Sequence, residues 1–340
     1  IALIGIADAL GIGLGMTAGA ILSGAYFGDK MSPLSDTTNL APAMAGTDLF
    51  THIKYMALTT VPTITITLIA FIIIGLNLDT SGNTDTSAIL ASIEKSFTIT
   101  PWLFIVPVIV IFLIVKKTSP LIALLVGTLA GAVAALIVQP DIVLAVSGMN
   151  ELNFISGYKG LMNAITVDTA VETDSETLND LFASSGMQGM LGTIWLIICA
   201  MVFGGIMEAI GALSRISKAL LNLFHTTFGL FASTVFSCLA LNVTASDQYL
   251  AIVVPGKMFA KAYKDKGLAP ENLSRSLEDS GTVTSVLIPW NTCGAFQSGI
   301  LGVGVLDYFI YAIFNWLSPF TTLIVAALNI KIKKLTKSGN

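Results

Sequence analysis

The sequence predicts an all-α polytopic membrane protein built around two broken-helix segments that run in opposite directions. Three observations carry that prediction. Only 11% of the 340 residues are charged and 54% are hydrophobic, with a mean hydropathy of +0.83. A soluble globular chain carries roughly 25% charged residues, so this chain cannot cover a water-facing surface of ordinary composition. Apolar runs of about the length of a bilayer span recur along it. Two of the polar interruptions in those runs match one another. The net charge of −4 leaves no basic footprint for nucleic acid. Cys199, Cys238 and Cys293 lie in apolar surroundings without metal-ligand spacing and read as core residues. The sequence opens on Ile1 inside an apolar run, without initiator Met, charged n-region or cleavage site. It therefore reads as a fragment whose N-terminal part is missing.

Clear spans are expected at 56–78, 102–115, 120–138, 190–213 and 308–330. Three further apolar regions, 1–45, 224–262 and 277–305, are interrupted by Gly, Pro, Ser, Thr, Asn and Asp. Polar loops are expected at 79–100 and 139–188, both acidic. Basic residues gather at Lys116–Lys117, at Arg215 with Lys218, from Lys257 to Arg275, and from Lys331 to Lys337. Positive loops stay in the cytoplasm, which puts those four sites and the C-terminus inside and both acidic loops outside. The spans then alternate without contradiction. Region 224–262 leaves and returns to the inside, as two spans or as a re-entrant hairpin.

A duplication is visible. Leu22 to Asp29 has a counterpart in Leu273 to Asp279. A Ser/Thr-rich stretch with a proline and an asparagine follows each, at 30–39 and 280–291, and then a span with an internal proline, Pro62 or Pro319. The two spans run in opposite directions by loop charge, the pattern of inverted-topology repeats. The expected organisation is 1–80 as the remainder of repeat one (hairpin leg, broken helix, span), 81–220 as connecting spans with the acidic outer loop, and 221–340 as repeat two (hairpin, broken helix, span).

The densest polar constellation is Gly28 to Asn39. It holds the carboxylates of Asp29 and Asp36, the hydroxyls of Ser32, Ser35, Thr37 and Thr38, and the carboxamide of Asn39. Pro33 disfavours helix at Ser32 and removes a backbone donor. Unwound backbone at membrane depth is tolerated where it lines a cavity or is buried in protein. The freed carbonyls, hydroxyls and carboxylates are hard oxygen ligands that suit Na⁺ and not a soft metal. A second constellation is Glu278 to Ser285, containing Asp279, Ser280 and Thr282, with Asn291 beyond Pro289. The third is Asn242 to Asp247, including Ser246, at the tip of the hairpin reading. An ionisable group inside a membrane is a functional candidate by default. The bland alternatives are a headgroup loop for Asp29–Lys30, an outer loop for Asp247, and a cytoplasmic approach for Glu278 beside Arg275. Asp8 and Glu208 stay outside the core site, Glu208 as a partner of Arg215 and Lys218. His52, placed in an inside loop, and His225 read as interfacial.

A carboxylate at such a site holds a proton or Na⁺, not both, and that competition suffices for antiport. Other chemistry finds no motif. There is no Gly-x-x-x-x-Gly-Lys-Ser/Thr for an ATP-driven pump. An enzyme is not expected, because no metal cluster or nucleophile set stands out. Gly15-x-x-x-Gly19 and Gly127-x-x-x-Gly131 read as close helix contacts.

The run Ser23 to Pro42 resembles the signature of the NhaC-type Na⁺/H⁺ antiporter family. The runs Leu241 to Tyr249, Leu277 to Ser285 and Ile288 to Thr292 resemble its second half. The resemblance covers nearly the whole chain. It implies inverted repeats, each with a re-entrant hairpin and a broken helix, in a multi-pass protein of the cytoplasmic membrane that exchanges Na⁺ for H⁺ and needs no cofactor. It supports Asp29, Ser32, Ser35, Asp36, Thr37 and Asn39 on one side, and Asp247, Asp279, Ser280, Thr282 and Asn291 on the other. Na⁺ is expected at Asp29, Asp36, Asp247 and Asp279. The partners are Na⁺, H⁺ and the lipid bilayer, and a homo-oligomer is compatible with this. The alternative is a Na⁺/H⁺-coupled organic-acid exchanger, of malate against lactate, or an amino-acid exchanger on the same scaffold. An organic anion would favour a cationic partner, for which Lys30 and Lys257 are the candidates.

Overall fold

The computed structural model describes residues 2–33, 35–78, 86–116, 118–171, 173, 179, 182–223 and 226–335. His225 lies outside them. The described chain is helical, with two isolated bridges, Thr169–Ser184 and Leu268–Lys334, and no strand among the described residues.

The first broken segment follows from its punctuation. After α1 (Ala2–Ala9), α2 (Leu14–Met31) ends where Ser32, ahead of Pro33, turns extended at φ −89°, ψ 125°. Ser35 restarts the helix as the N-cap of α3 (Asp36–Ala45), accepting from the Thr38 amide. Gly46, at φ 86°, ends it in the left-handed region that glycine enters freely. Asp48 then caps α4 (Leu49–Leu76), which contains Pro62. At 28 residues α4 is roughly 42 Å long, ample for a bilayer.

The middle of the chain contributes neither of the two helix breaks. It comprises α5 (Thr86–Ser96), α6 (Ile105–Val115), α7 (Pro120–Val138), α8 (Pro140–Ser147), α9 (Phe154–Thr166), α10 (Leu191–Ala209) and α11 (Ala212–Leu223). Residues 90–96 and 101–115 are bent by 84° at their break, so the expected span at 102–115 is one arm of a bent pair, the form of a broken span or a re-entrant loop. The region 139–188, expected as a loop, contains α8 and α9 packed against each other. Pro140 starts α8, and a reciprocal Asn153–Ser156 capping box starts α9.

The second broken segment follows a helical hairpin, α12 (Thr227–Thr244) and α13 (Gln248–Asp265). Then α14 (Pro270–Leu277) widens into a π turn over Glu278–Thr282 and tightens to a 3₁₀ turn at Ser285–Leu287. Asn291 restarts the helix as N-cap of α15 (Thr292–Leu301), and Gly302 ends it at φ 64°. Both α3 and α15 are ten residues long, side-chain capped at the start and glycine-ended. The expected span at 308–330 is divided into α16 (Val305–Phe309) and α17 (Ile313–Ala327), the latter carrying Pro319.

Burial separates interior from lipid-facing helices. In the most apolar 18-residue window of α12, 61% of residues are buried, against 6% for α7. The apolar face of α7 is thus left for a bilayer, and α12 is wrapped in protein. Four helical stretches are long and apolar enough to cross a membrane: Leu49–Leu76, Leu121–Val138, Gly186–Ala209 and Thr227–Thr244. With the bent pair this gives up to five, and the chain is an all-α polytopic membrane protein. Close helix contact occurs at Gly15 and Gly19, where a Cβ would lie 2.4 Å from backbone atoms of Asp307 and Tyr311 respectively. At the second small-residue pair only Gly127 is crowded, by Val110, and Gly131 faces open space.

Candidate functional site

The two helix breaks meet in the core. Lys30, at the end of α2, is ion-paired with Asp279 in the π turn, and both side chains are 0% exposed. Two hydroxyls of α17 complete the shell. Thr322 Oγ1 donates to Asp279 Oδ2, and Ser318 Oγ bridges Asp279 Oδ1 at 3.4 Å and Lys30 Nζ at 3.3 Å. The ammonium also lies 5.5 Å from the centre of the Phe314 ring. Burying an ion pair this completely is costly unless both charges are satisfied, and here each has at least two polar neighbours.

Glu278, the residue before, points toward the first break. Its Oε1 accepts from Thr37 Oγ1 at 3.2 Å, and its Oε2 has no partner among the described residues although the side chain is buried. The same Thr37 hydroxyl lies 3.5 Å from Asp29 Oδ2 and 3.2 Å from Ser35 Oγ. Thr38 Oγ1 donates to the carbonyls of Asp29 and Lys30 at 3.2 Å each, sealing the end of α2.

The other sequence-derived residues divide by role. Asn39 is exposed and braces the first break, donating to the carbonyls of Pro33 at 3.0 Å and Ser35 at 2.6 Å. Ser32 is the C-cap of α2. Asn242 donates to the Gly281 carbonyl in the π turn at 2.8 Å and to Thr284 Oγ1 just after it at 3.0 Å. Asn291 Nδ2 reaches Asn242 Oδ1 at 3.2 Å. Ser246 makes the hairpin turn at φ 58°, and its carbonyl accepts the Thr292 amide at 2.9 Å. Ser280 donates to the Ser276 carbonyl, and the buried Thr282 hydroxyl has no partner among the described residues. Asp247 is the N-cap of α13, accepting the Leu250 amide at 2.9 Å. Asp36 is exposed and accepts from Tyr249, two residues from Asp247. Of the four carboxylates expected to hold Na⁺, Asp279 is in the core, Asp29 is joined to it through Thr37 and Glu278, and Asp36 and Asp247 lie apart on the Tyr249 side.

Sequence reasoning missed several members. His52 belongs to α4 and is fully buried, with Nδ1 at 2.9 Å from Ser274 Oγ, not in a loop. Arg275 is fully buried, its guanidinium 4.7 Å from the Tyr55 ring centre. Thr59, Thr63 and Thr67 form a buried hydroxyl stripe on α4, and Thr63 donates to Thr321 of α17 at 2.9 Å. That stripe repeats every four residues and was legible as a polar helix face. Glu208 and Arg215 are both exposed.

An apolar helical shell around a buried lysine–aspartate pair at paired helix breaks defines a membrane transporter of the secondary class. The Na⁺/H⁺ antiporter family model matches residues 24–330, and the chain belongs to that family. It is 37% identical over its whole length to the Na⁺/H⁺ antiporter NhaC of Alkalihalophilus pseudofirmus, covering 71% of that protein. It is 34% identical over 96% of its length to the NhaC of Bacillus subtilis, covering 69%. It is also 34% identical over 94% of its length to the malate-2H⁺/Na⁺-lactate antiporter of Bacillus subtilis, covering 64%. No solved structure matches it.

Proposed function

We propose that the Na⁺/H⁺ exchange of this family is carried in this chain by Asp279, with Lys30 as its resident counter-cation. The observation that carries the reading is the ion pair between a lysine at one helix break and an aspartate at the other, both shut off from solvent. An intramembrane pair of charges contributes little to stability relative to apolar residues and marks an ion pathway. Asp279 can be neutralised by the Lys30 ammonium, by a proton or by Na⁺, and by one of them at a time. The Ser318 and Thr322 hydroxyls add hard oxygens that suit Na⁺. When Na⁺ takes Asp279, a proton held there is displaced. That exclusivity couples the two ions.

Asp29, Ser32, Ser35, Thr37 and Asn39 form the first wall of the site, and Asn242, Ser246, Ser280, Thr282 and Asn291 the second. Asp36 and Asp247 serve the approach. The shared element order, a broken helix whose second half is ten residues long and glycine-ended, supports inverted repeats in 1–80 and 221–340 joined by 81–220. The protein-wrapped α12–α13 hairpin supports a re-entrant arrangement. The basic residues at 331–334 support a cytoplasmic C-terminus in the cytoplasmic membrane.

The test is reconstitution in proteoliposomes with a lumenal pH dye. A Na⁺ gradient alone should drive proton movement, and Asp279→Asn should abolish it while the protein remains in the membrane. Strict dependence on malate, lactate or an amino acid would overturn the reading in favour of organic-solute exchange.

A further inference from the structure

The chain folds back on itself after α17. Asn329 and Lys331 sit at φ 53° and 46°, the left-handed region that residues other than glycine rarely adopt. They bring the segment 331–335 against the connection between α13 and α14. There Leu268 and Lys334 form an antiparallel bridge. The Ala269 amide donates to the Lys333 carbonyl at 2.9 Å, and the Leu335 amide to the Gly267 carbonyl at 2.8 Å. Side chains of α14 and α4 tie into the same strap. Asn272, fully buried on α14, donates to the Lys333 carbonyl at 2.6 Å. The Tyr55 hydroxyl of α4 lies 2.6 Å from Asn272 Oδ1 and 2.8 Å from the Lys331 carbonyl, and it accepts from the Lys333 amide at 3.3 Å. The Lys333 ammonium is ion-paired with Glu271.

The position of the strap gives it a task. α14 runs directly into the π turn that carries Asp279, and α4 follows the first helix break. Tyr55 and Asn272 therefore fasten the segment holding Asp279 to the other half of the chain, at the end that loop charge places inside. Beneath the strap the Tyr55 ring lies over the buried Arg275 guanidinium at 4.7 Å, and His52 Nδ1 lies 2.9 Å from Ser274 Oγ. Alternating access moves one such half against the other. We propose that residues 331–335 are a latch, closed on 267–269 while the Asp279–Lys30 pair is shut off from solvent and released in each exchange cycle so that α14 can part from α4. The latch rests on the exchange reading given above. Two features suit it to release. The left-handed turn at Asn329 and Lys331 is a costly backbone conformation that the pairing holds in place. Leu335 also lines a cavity of about 580 Å³ with Gly46, Leu268 and Leu273, so the strap has open space beside it.

The bridge geometry supplies the test. The two backbone hydrogen bonds flank Leu268 and Lys334 and do not join them, so this is the closer kind of antiparallel pair, with Cα atoms about 4.5 Å apart, within reach of a disulfide. Leu268→Cys with Lys334→Cys should therefore form a disulfide on oxidation, verified by mass spectrometry of the digested protein. Na⁺-driven proton movement in proteoliposomes is read before oxidation, after it, and after dithiothreitol. Bridging should slow exchange at least about tenfold, roughly the loss of 1.4 kcal/mol, and reduction should restore it, with the parent protein treated alike unaffected. Exchange by the bridged protein at its reduced rate overturns the latch, and so does a pair of cysteines that fails to bridge. A second measurement needs no cysteine. Tyr55→Phe keeps the ring over Arg275 and removes the hydroxyl, and it should speed amide hydrogen exchange at Ala269 and Leu335 about fivefold, the effect of one lost hydrogen bond. Unchanged protection there also overturns the latch. Failure of the underlying reading is separately visible, because Asp279→Asn would then exchange like the parent.

Discussion

Lys30 follows Asp29 in the chain, yet its ammonium reaches Asp279, 249 positions away. Adjacent residues on a helix point about 100° apart, so the Asp29–Lys30 pair suggested by adjacency does not form a bridge across one face. Asp29 turns to the first break and Lys30 to the second. Removing either half of the buried pair leaves an uncompensated charge. Lys30→Ala should therefore destabilise the protein by about 3–5 kcal/mol, and Lys30→Ala with Asp279→Ala by clearly less than the sum of the two single changes. Thermal denaturation of the detergent-solubilised variants checks this, and strict additivity would deny the coupling. Glu278 and His52 show the same limit of local reading. A carboxylate near an arginine and a histidine near a lysine look like solvated approaches, and only the fold shows both side chains to be buried.

At the scale of elements, the helix breaks are held by side chains from other segments. The Asn242 carboxamide satisfies the Gly281 carbonyl, in the π turn, and Thr284 Oγ1, just after it, 39 and 42 residues further along the chain. Asn242→Ala should cost about 1–3 kcal/mol, the penalty for leaving a buried acceptor unmade, and should raise amide hydrogen exchange over 278–284. Unchanged protection there would mean that the turn is held by its own geometry. Helix packing sets a second expectation. A Cβ at Gly19 would meet the Tyr311 backbone at 2.4 Å, and backbone cannot rotate aside as a side-chain tip can. Gly19→Ala should lower stability by about 1–3 kcal/mol, whereas Gly131→Ala, in open space, should not. Capping of α4 carries a pH dependence. The Asp48 carboxyl, outside the span, is held below the usual range first by the Thr51 side chain and then by the Thr51 amide. A depressed carboxylate stabilises the fold above its unfolded pKa, and the contribution is lost as pH falls through the folded one. Melting curves of Asp48→Ala and the parent should therefore converge on acidification.

For the whole molecule, the charge pattern of the loops predicts an orientation. In a background with Cys199, Cys238 and Cys293 replaced by alanine, Glu151→Cys should be labelled by an impermeant thiol reagent from outside intact cells, and Lys331→Cys only after the membrane is opened. Labelling of both from outside would overturn the topology. The sequence by itself determined the membrane setting, because so few charged residues cannot clothe a soluble surface. It also determined the position of the breaks, since Ser32–Pro33 and the polar run after Leu277 interrupt helix through local backbone chemistry. It did not reveal α8 and α9, short capped helices whose apolar runs are too brief for a span and lie within a stretch read as a loop from its acidic residues. Tertiary structure alone decided which charges share the core. Lys30 with Asp279, and Glu278 with Thr37 and Asp29, are partners brought together by packing α2 and α3 against the π turn. Their separation in sequence carries no distance information, and the low-dielectric interior makes the choice of partner decisive.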